Sequence, residues 1–218
     1  MKLNGLTFVI IIMSLLACKK TDTGTCFEED NGCIQKIVIP VSSQGTLSAS
    51  DFNLINTLFM TNGIDHSNLR PIRTYRDSLK TYNGTHDFRL VHVLEYKRGL
   101  PIFTGTLNYS FKNGIFESYA GRLLSGPTPD ITYTLTLGQL RKLFINDIEL
   151  FNHRGNQFKD SCFNAEFGYF NLNSGTGNNT ENIVKAWHLT PKYNAYPEGY
   201  YQDNGQRIYY FDGVVYGH

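Results

Sequence analysis

The chain has 218 residues, of which 20 are lysine or arginine and 19 are aspartate or glutamate, so its formal charge at pH 7 is only +1. This balance, without a dense cluster of lysine and arginine, argues against a protein that follows the phosphates of a nucleic acid. The length is sufficient for one or two modest hydrophobic cores.

The N-terminus predicts a bacterial lipoprotein signal peptide at residues 1–17. Lys2 is followed by an apolar run at residues 6–16 that is too short to span a bilayer. Leu15-Leu16-Ala17-Cys18 resembles a lipobox, in which the bond after Ala17 is cleaved and Cys18 receives a diacylglyceryl group. We therefore expect a mature chain that begins at Cys18 and is anchored by lipid in the bacterial cell envelope. The outer membrane is the expected site, and the face of that membrane stays open.

Residues 18–36 are predicted to form the lipidated N-terminus and a polar tether that leads to the folded part. In an exported chain, the three cysteines that remain after lipidation of Cys18 predict one disulfide bond and one free thiol. Spacing does not decide which pair forms. We favour Cys26 with Cys33 because that loop is local, which leaves Cys162 free and buried. The spacing of these cysteines matches no zinc pattern.

The first half is predicted to open with a strand at residues 37–41 and then a helix. Ser48 is placed as the N-cap, and Leu47 and Phe52 flank it as a hydrophobic staple. Asn62-Gly63 is expected to end this helix, because both residues tolerate the conformation that follows a helix.

Three antiparallel strands are predicted between residues 87 and 124. A two-residue alternation places one set of side chains on a single face of the first strand and continues in the second strand. Asn113-Gly114 is predicted to form the tight turn before the third strand, because this dipeptide readily adopts positive φ at both positions. The alternating side chains are Phe88, Leu90, His92, Leu94 and Tyr96 in the first strand and Phe103, Leu107, Tyr109 and Phe111 in the second.

The second half repeats this order of elements. Thr136 is the predicted N-cap of a second amphipathic helix, and Gln139 is placed to complete a capping box. The glycine and prolines of residues 123–130 predict a boundary between the halves. Strands are predicted near residues 162–171, 183–190 and 207–211, with turn-rich segments at residues 173–182 and 193–205.

Each half thus predicts one amphipathic helix and one antiparallel meander, and each of these has a single apolar face. Packing the helix on the meander buries both faces. We therefore expect an α+β fold of two similar units, residues 37–126 and 127–218, each with a helix packed on an antiparallel β-meander sheet.

Two stretches resemble known protein families. Arg98-Gly99-Leu100-Pro101-Ile102-Phe103-Thr104-Gly105, with the strand and turn that follow it, resembles the fungalysin/thermolysin propeptide (FTP) motif. In the second half, Lys185-Ala186-Trp187-His188-Leu189 and Ile208-Tyr209-Tyr210-Phe211-Asp212-Gly213 resemble the small-Trp strand and the closing strand of a PepSY domain. Together these resemblances cover about residues 47–217.

The resemblance implies a propeptide-like protein without the peptidase domain. Propeptides of this family precede a zinc protease with an HEXXH helix, and this sequence contains no HEXXH. Glu95 and Lys97 stand where the FTP motif usually has a glutamine and an aromatic residue, so its partner-binding residues do not transfer. The resemblance implies binding to a separate exported peptidase, either to inhibit it or to assist its folding.

No catalytic or metal-binding constellation is predicted. The six histidines include no pair at i, i+4 spacing with the third ligand that a zinc site needs. The sequence has no G-x-S-x-G turn, and Asp147 and Glu149 fall on different faces of the second helix. We therefore expect a non-enzymatic protein without metal or cofactor.

A tyrosine-rich segment near the C-terminus is a candidate binding surface. Seven of the 14 tyrosines lie between Tyr193 and Tyr216, where they either fill a small sheet or contact a partner. A surface module that binds glycan or protein through these tyrosines is the alternative function, and the oligomeric state stays open. The residues predicted to contact a partner are Arg98, Gly99, Leu100, Pro101, Tyr196, Tyr200 and Tyr201.

Overall fold

The structure is a computed structural model that describes residues 33–82, 84–178 and 180–214. The predicted signal peptide, the lipidation site Cys18 and Cys26 lie outside these residues. In chain order the elements are β1 Ile34–Ile37, α1 Ala49–Thr61, β2 Leu69–Thr81, β3 Gly84–Lys97, β4 Leu100–Lys112, β5 Ile115–Ala120, α2 Leu137–Asn152, α3 Gly155–Phe158, β6 Phe163–Asn171, β7 Ile183–Pro191, β8 Glu198–Gln202 and β9 Arg207–Phe211.

All nine strands of the described chain belong to one mixed sheet. The strand order is β2-β3-β4-β6-β7-β8-β9, while β1 pairs with β6 in parallel and β5 pairs with β4 in antiparallel orientation. The predicted α+β fold of two separate helix-on-meander units is therefore wrong. The chain is mostly β, and its two halves share a sheet because β4 pairs directly with β6.

The two halves join at a bulge in β4. The register between β3 and β4 shifts at Glu95 of β3, which lies opposite residues 102–105 of β4. Within this bulge, Ile102 pairs instead with Tyr169 of β6. Gly105 permits the close approach, because a Cβ atom there would lie 3.0 Å from the Cβ atoms of both Glu95 and Ile102. The bulge redirects β4 towards β6 and thereby links a sheet that the sequence predicts as two.

The predicted N-caps of both long helices are confirmed. In α1 the Ser48 hydroxyl accepts a hydrogen bond from Asp51 N at 3.0 Å. In α2 Thr136 Oγ1 accepts from Gln139 N at 3.3 Å, and Gln139 Oε1 accepts from Thr136 N at 2.9 Å, which completes the capping box. Such caps contribute about 0.5–2 kcal/mol each to stability.

Each long helix covers a core of its own on the sheet. Ile55 and Phe59 of α1 are fully buried against a cluster that includes Val91, Val93 and Leu107. Full burial of one such side chain stabilises the fold by about 1.5–3 kcal/mol, so packing rather than helix propensity holds α1 in place. The buried residues of the α2 core are Ile34, Leu140, Phe144, Ile148, Phe163, Ala165, Phe167, Trp187, Leu189 and Tyr201.

The Asn113-Gly114 hairpin is confirmed. β4 ends at Lys112 and β5 begins at Ile115, and the turn residues have φ values of 52° and 81°. The three strands predicted between residues 87 and 124 correspond to β3, β4 and β5.

The sequence pattern misses two strands. β2 lies in a segment rich in charged residues, with a proline at its third position, and so lacks the alternation of a half-buried strand. β8 falls within the segment predicted as turn-rich, because it has five residues and contains Gly199. The first strand occupies Ile34–Ile37 rather than residues 37–41.

Cys33 forms a disulfide bond with Cys162. The predicted Cys26–Cys33 pair and the free, buried Cys162 are therefore wrong. Parallel pairing of β1 with β6 begins at Ile34 and Phe163, which places the two cysteines side by side at the starts of these strands. A preference for the local loop takes no account of this long-range register.

The segment between the halves has no regular structure. Residues 121–136 connect β5 to α2 without helix or strand, as the glycine and prolines of residues 123–130 predict. The division of the chain at residue 126 stays a prediction, since strands on both sides of it belong to one sheet.

Candidate functional site

Among the described residues, no helix packs on one face of β6–β9. α2 packs on the other face, where Phe167, Trp187 and Tyr201 belong to the core beneath the helix. Because side chains alternate along a strand, the residues next to these point away from α2 and form a surface that we name the helix-free face. Four of its side chains cross the sheet in register: Glu166, His188, Tyr200 and Tyr209.

Aromatic rings pack closely around His188 and Tyr200. These two rings stack with an interplanar angle of 7°. Phe103, from the bulge in β4, lies 5.6 Å from the His188 ring and 5.4 Å from the Tyr200 ring, and Phe170 lies 5.5 Å from Tyr200. Burial and the nearby carboxylates raise the pKa of Tyr200, so its phenol stays neutral. Phe103 belongs to the first half of the chain and the other rings belong to the second, so the cluster joins the two halves. Each aromatic pair contributes about 0.5–1.5 kcal/mol to stability beyond the burial of its rings.

Two glutamates lie within this cluster. Glu198 Oε2 is 2.9 Å from His188 Nε2 and accepts a hydrogen bond from the Tyr200 hydroxyl at 3.5 Å. Glu166 is only 6% exposed, and its Oε1 has no hydrogen-bond partner among the described residues. Burial raises the pKa of Glu166, while the charges of Arg70 and His188 act to lower it. The site thus combines a partly exposed hydrogen bond between His188 and Glu198 with the buried carboxyl group of Glu166.

The helix-free face becomes exposed at its β9 end. Tyr196 and Tyr209 are each 47% exposed, and the Tyr196 ring meets the Phe211 ring edge-on at 5.2 Å. We name Tyr196, Tyr209 and Phe211 the aromatic strip. Large exposed rings on a stable sheet fit a contact surface for protein or glycan.

The predicted contact segment at residues 98–101 is divided by burial. Arg98 and Gly99 form the exposed turn between β3 and β4, with φ values of 50° and 76°. Leu100 is half-buried and packs against the α2 core, and Pro101 is buried. Within this segment, Arg98 and Gly99 are therefore the residues accessible to a partner.

The three predicted tyrosines have three different environments. Tyr196 belongs to the aromatic strip, and Tyr200 is half-buried within the ring cluster. Tyr201 is buried beneath α2 and donates a hydrogen bond to Asp147 Oδ2 at 2.8 Å. Its prediction as a contact residue is wrong, because alternation along β8 turns it towards α2. Sequence reasoning did not select Phe103, although it lies in the FTP-like segment and contacts Tyr200.

A polar pocket of about 390 Å³ lies beside β4, between the end of β5 and the loop after β6. Glu181 at its wall accepts backbone hydrogen bonds from Ser125 at 3.0 Å and Gly126 at 2.5 Å, and these bonds lower the pKa of its carboxyl group. Asn171 Oδ1 accepts two further backbone hydrogen bonds from the loop after β6. Much of the polar lining thus stabilises the surrounding loops.

The described histidines are dispersed through the fold. His92 packs against the Tyr75 ring at 5.4 Å, and His66 packs against the Phe59 ring at 5.5 Å. Within the described ranges, no group of three or more histidine, cysteine, aspartate or glutamate side chains is arranged to hold a metal ion. None of the helices described here has the length and apolar character needed to cross a bilayer.

Comparison of this chain with protein-family models, with curated proteins and with solved structures finds no match. The resemblance to the FTP motif and to PepSY domains stays a prediction that rests on the residues quoted for it. The surfaces of the fold therefore carry the information on its function.

Proposed function

We propose that this protein is a lipid-anchored, non-enzymatic protein of the bacterial cell envelope that binds an exported peptidase. It acts as a propeptide-like domain separate from its enzyme and inhibits that enzyme or assists its folding. The lipobox at Cys18 supports the location, and the FTP-like and PepSY-like segments support the class of partner.

The aromatic strip is the observation that carries this proposal. Tyr196, Tyr209 and Phe211 offer large ring surfaces that lose few rotamers on binding, as is typical of residues at the centre of protein interfaces. The stacked pair of His188 and Tyr200 lies next to them in the sheet, and the Tyr200 ring packs 6.2 Å from the Tyr209 ring. A pre-organised surface binds more tightly because less entropy is lost.

The proposal is tested with the mature chain carrying Cys18→Ser, which keeps the protein in solution, and with exported metallopeptidases of the same organism. Calorimetry is expected to show a one-to-one complex. The rate of hydrolysis of a peptide substrate is expected to fall in proportion to the fraction of peptidase in the complex. Absence of any such complex, or hydrolysis that co-purifies with this chain, would overturn the proposal.

Two alanine variants locate the contact. Tyr196→Ala is expected to weaken the complex by about tenfold, because truncation of an interface ring removes contact area. Tyr82→Ala is the control, since Tyr82 is fully exposed in the turn between β2 and β3 and lies outside the strip. Neither variant is expected to lower the melting temperature by more than a few degrees.

The same strip supports a second candidate function, a surface module that binds glycan. The exposed rings of Tyr196 and Tyr209 provide flat faces on which sugar rings can pack. Their hydroxyl groups can form hydrogen bonds with the sugar. Binding on a glycan array that Tyr209→Ala abolishes, without a peptidase complex, would favour this function.

A further inference from the structure

The two strands at the ends of the sheet differ in their protection against pairing with another chain. An open strand edge presents unpaired backbone groups, which charges, proline and bulges normally shield. β2 has all three: Pro71, a register shift between Pro71 and Arg73, and the exposed charged residues Arg73, Arg76 and Lys80. Addition of a foreign strand at β2 is therefore opposed.

β9 is far less protected. Among the described residues it pairs with β8 alone, it contains no proline, and its register shift affects only its start. Its one charged residue, Arg207, is held towards α2, with Nη1 3.0 Å from Asp147 Oδ1. Asp212, directly after the strand, also faces α2, where Asn152 Nδ2 lies 3.4 Å from its Oδ2. Both charged side chains at β9 are thus directed towards α2, and among the described residues no other strand pairs with the outer edge of β9.

The two remaining edge strands, β5 and β1, are less suited to pairing. In β5 the backbone N–H of Phe116 already donates to Asn62 Oδ1 at 2.8 Å, so α1 satisfies part of that edge. β1 has four residues, one fewer than β9, and is the shortest of the described strands. β9 is the edge that adjoins the aromatic strip.

We propose that an extended segment of the partner adds to β9 as a further strand of the sheet. This inference rests on the proposed function, because it assigns the β9 edge and the aromatic strip to the same partner. Addition of a strand satisfies backbone N–H and C=O groups of both chains, and alternate side chains of the added segment then lie beside Tyr209 and Phe211. Aliphatic or aromatic side chains fit these positions, since Arg207 and Asp212 already have partners.

Strand addition is tested first with a probe peptide. An acetylated and amidated heptapeptide of alternating valine and threonine is added to the mature chain carrying Cys18→Ser. Hydrogen exchange, read by mass spectrometry, is expected to slow by about tenfold at β9 and to stay unchanged at β2. A peptide of the same sequence with N-methyl groups at alternate residues lacks the required donors and is expected to give no protection. Equal protection by both peptides would refute addition through the backbone.

Two matched lysine variants test which edge is used. Tyr209 on β9 and Tyr75 on β2 are 47% and 50% exposed, so both substitutions fall at comparable surface positions. A lysine on an edge strand opposes pairing, and Tyr209→Lys is expected to weaken binding of the valine–threonine peptide by about tenfold. Tyr75→Lys is expected to leave binding unchanged. Unchanged binding in Tyr209→Lys, with both variants folded, contradicts the assignment to β9.

Sedimentation over a range of concentrations distinguishes a foreign partner from a second copy of the chain. Dimerisation that Tyr209→Lys abolishes would show that β9 pairs with itself, and the inference would be wrong. A peptidase complex that neither protects β9 nor responds to Tyr209→Lys retains the proposed function and removes this inference. Binding of the valine–threonine peptide at β9 without a peptidase complex would support strand addition at β9 and remove the proposed function.

Discussion

His188 and Tyr200 stack face to face across β7 and β8, with ring centroids 4.3 Å apart. Phe103, from the first half of the chain, contacts both rings. The stack therefore connects the FTP-like segment with the tyrosine-rich segment, although the two lie far apart in sequence. Contacts from both halves of the chain thus stabilise the helix-free face.

Truncation of the stacked tyrosine is expected to destabilise the protein. Tyr200→Ala removes ring contacts with His188, Phe103 and Phe170 and should lower the free energy of unfolding by about 2–4 kcal/mol. Tyr209→Ala, at the exposed end of the same row, should lower it by less than about 1 kcal/mol. Urea denaturation measures both values, and equal losses would contradict the packing around Tyr200.

The buried carboxyl group of Glu166 predicts a dependence of stability on pH. Burial raises its pKa above the ordinary value of 4.5, so the folded protein retains this proton to higher pH than the unfolded chain does. Its contribution to stability is present below the ordinary pKa and is lost as the pH rises through the folded pKa. Glu166→Gln cannot ionise, so its stability relative to wild type should increase as the pH rises above 4.5 and then level off.

Urea denaturation at a series of pH values measures this difference. Glu117→Gln is the matched control, because Glu117 is exposed on β5. The control and wild type should show the same change with pH. If the Glu166→Gln curve also ran parallel to wild type, the carboxyl group would not be coupled to folding.

The disulfide bond is expected to contribute strongly to stability. Replacing Cys33 and Cys162 with serine removes a cross-link between positions 129 residues apart. The loss of free energy of unfolding should be about 2–5 kcal/mol, because a long loop is freed in the unfolded chain. Cys26→Ser should have no such effect. Non-reducing peptide mapping identifies the bond, and a Cys26–Cys33 peptide would contradict the pairing seen here.

The turn between β4 and β5 requires positive φ at Gly114, where φ is 81°. Gly114→Val places a β-branched side chain in this conformation and should lower the free energy of unfolding by about 1–3 kcal/mol. Gly114→Asn should lower it less, because asparagine tolerates positive φ. Chemical denaturation of the two variants tests the order.

Lipidation at Cys18 is expected from the lipobox. The thiol is the group that accepts the lipid, so Cys18→Ser should yield a chain without acyl groups that is either uncleaved after Ala17 or released from the membrane. Mass spectrometry of the mature protein provides the measurement. A wild-type chain with an unmodified Cys18 would remove the basis for the proposed anchor.

Features that depend on neighbouring residues are predictable from this sequence. The caps at Ser48 and Thr136 and the turn at Asn113-Gly114 each involve groups only a few residues apart, and all three are confirmed. The hydrogen bonds of the caps and the backbone conformation of the turn involve only neighbouring residues, so long-range packing does not alter them.

Features that depend on long-range register are not predictable in the same way. Pairing of β4 with β6 depends on the bulge around Gly105, and the bond between Cys33 and Cys162 depends on parallel pairing of β1 with β6. The burial of Tyr201 follows from which side of β8 meets α2. For the candidate site, the sequence indicates the tyrosine-rich segment, whereas Phe103 enters through the bulge.

The Cys33–Cys162 bond lies where the chain enters the described fold. With the proposed anchor at Cys18, a pull between the membrane and a bound partner reaches Cys33 before any of the described strands. The load then passes through a covalent bond into β6, a central strand, and bypasses the four hydrogen-bonded residues of β1. The sheet is thereby protected against mechanical unfolding from its tethered end, and reduction of this bond would make β1 the first element to detach under force.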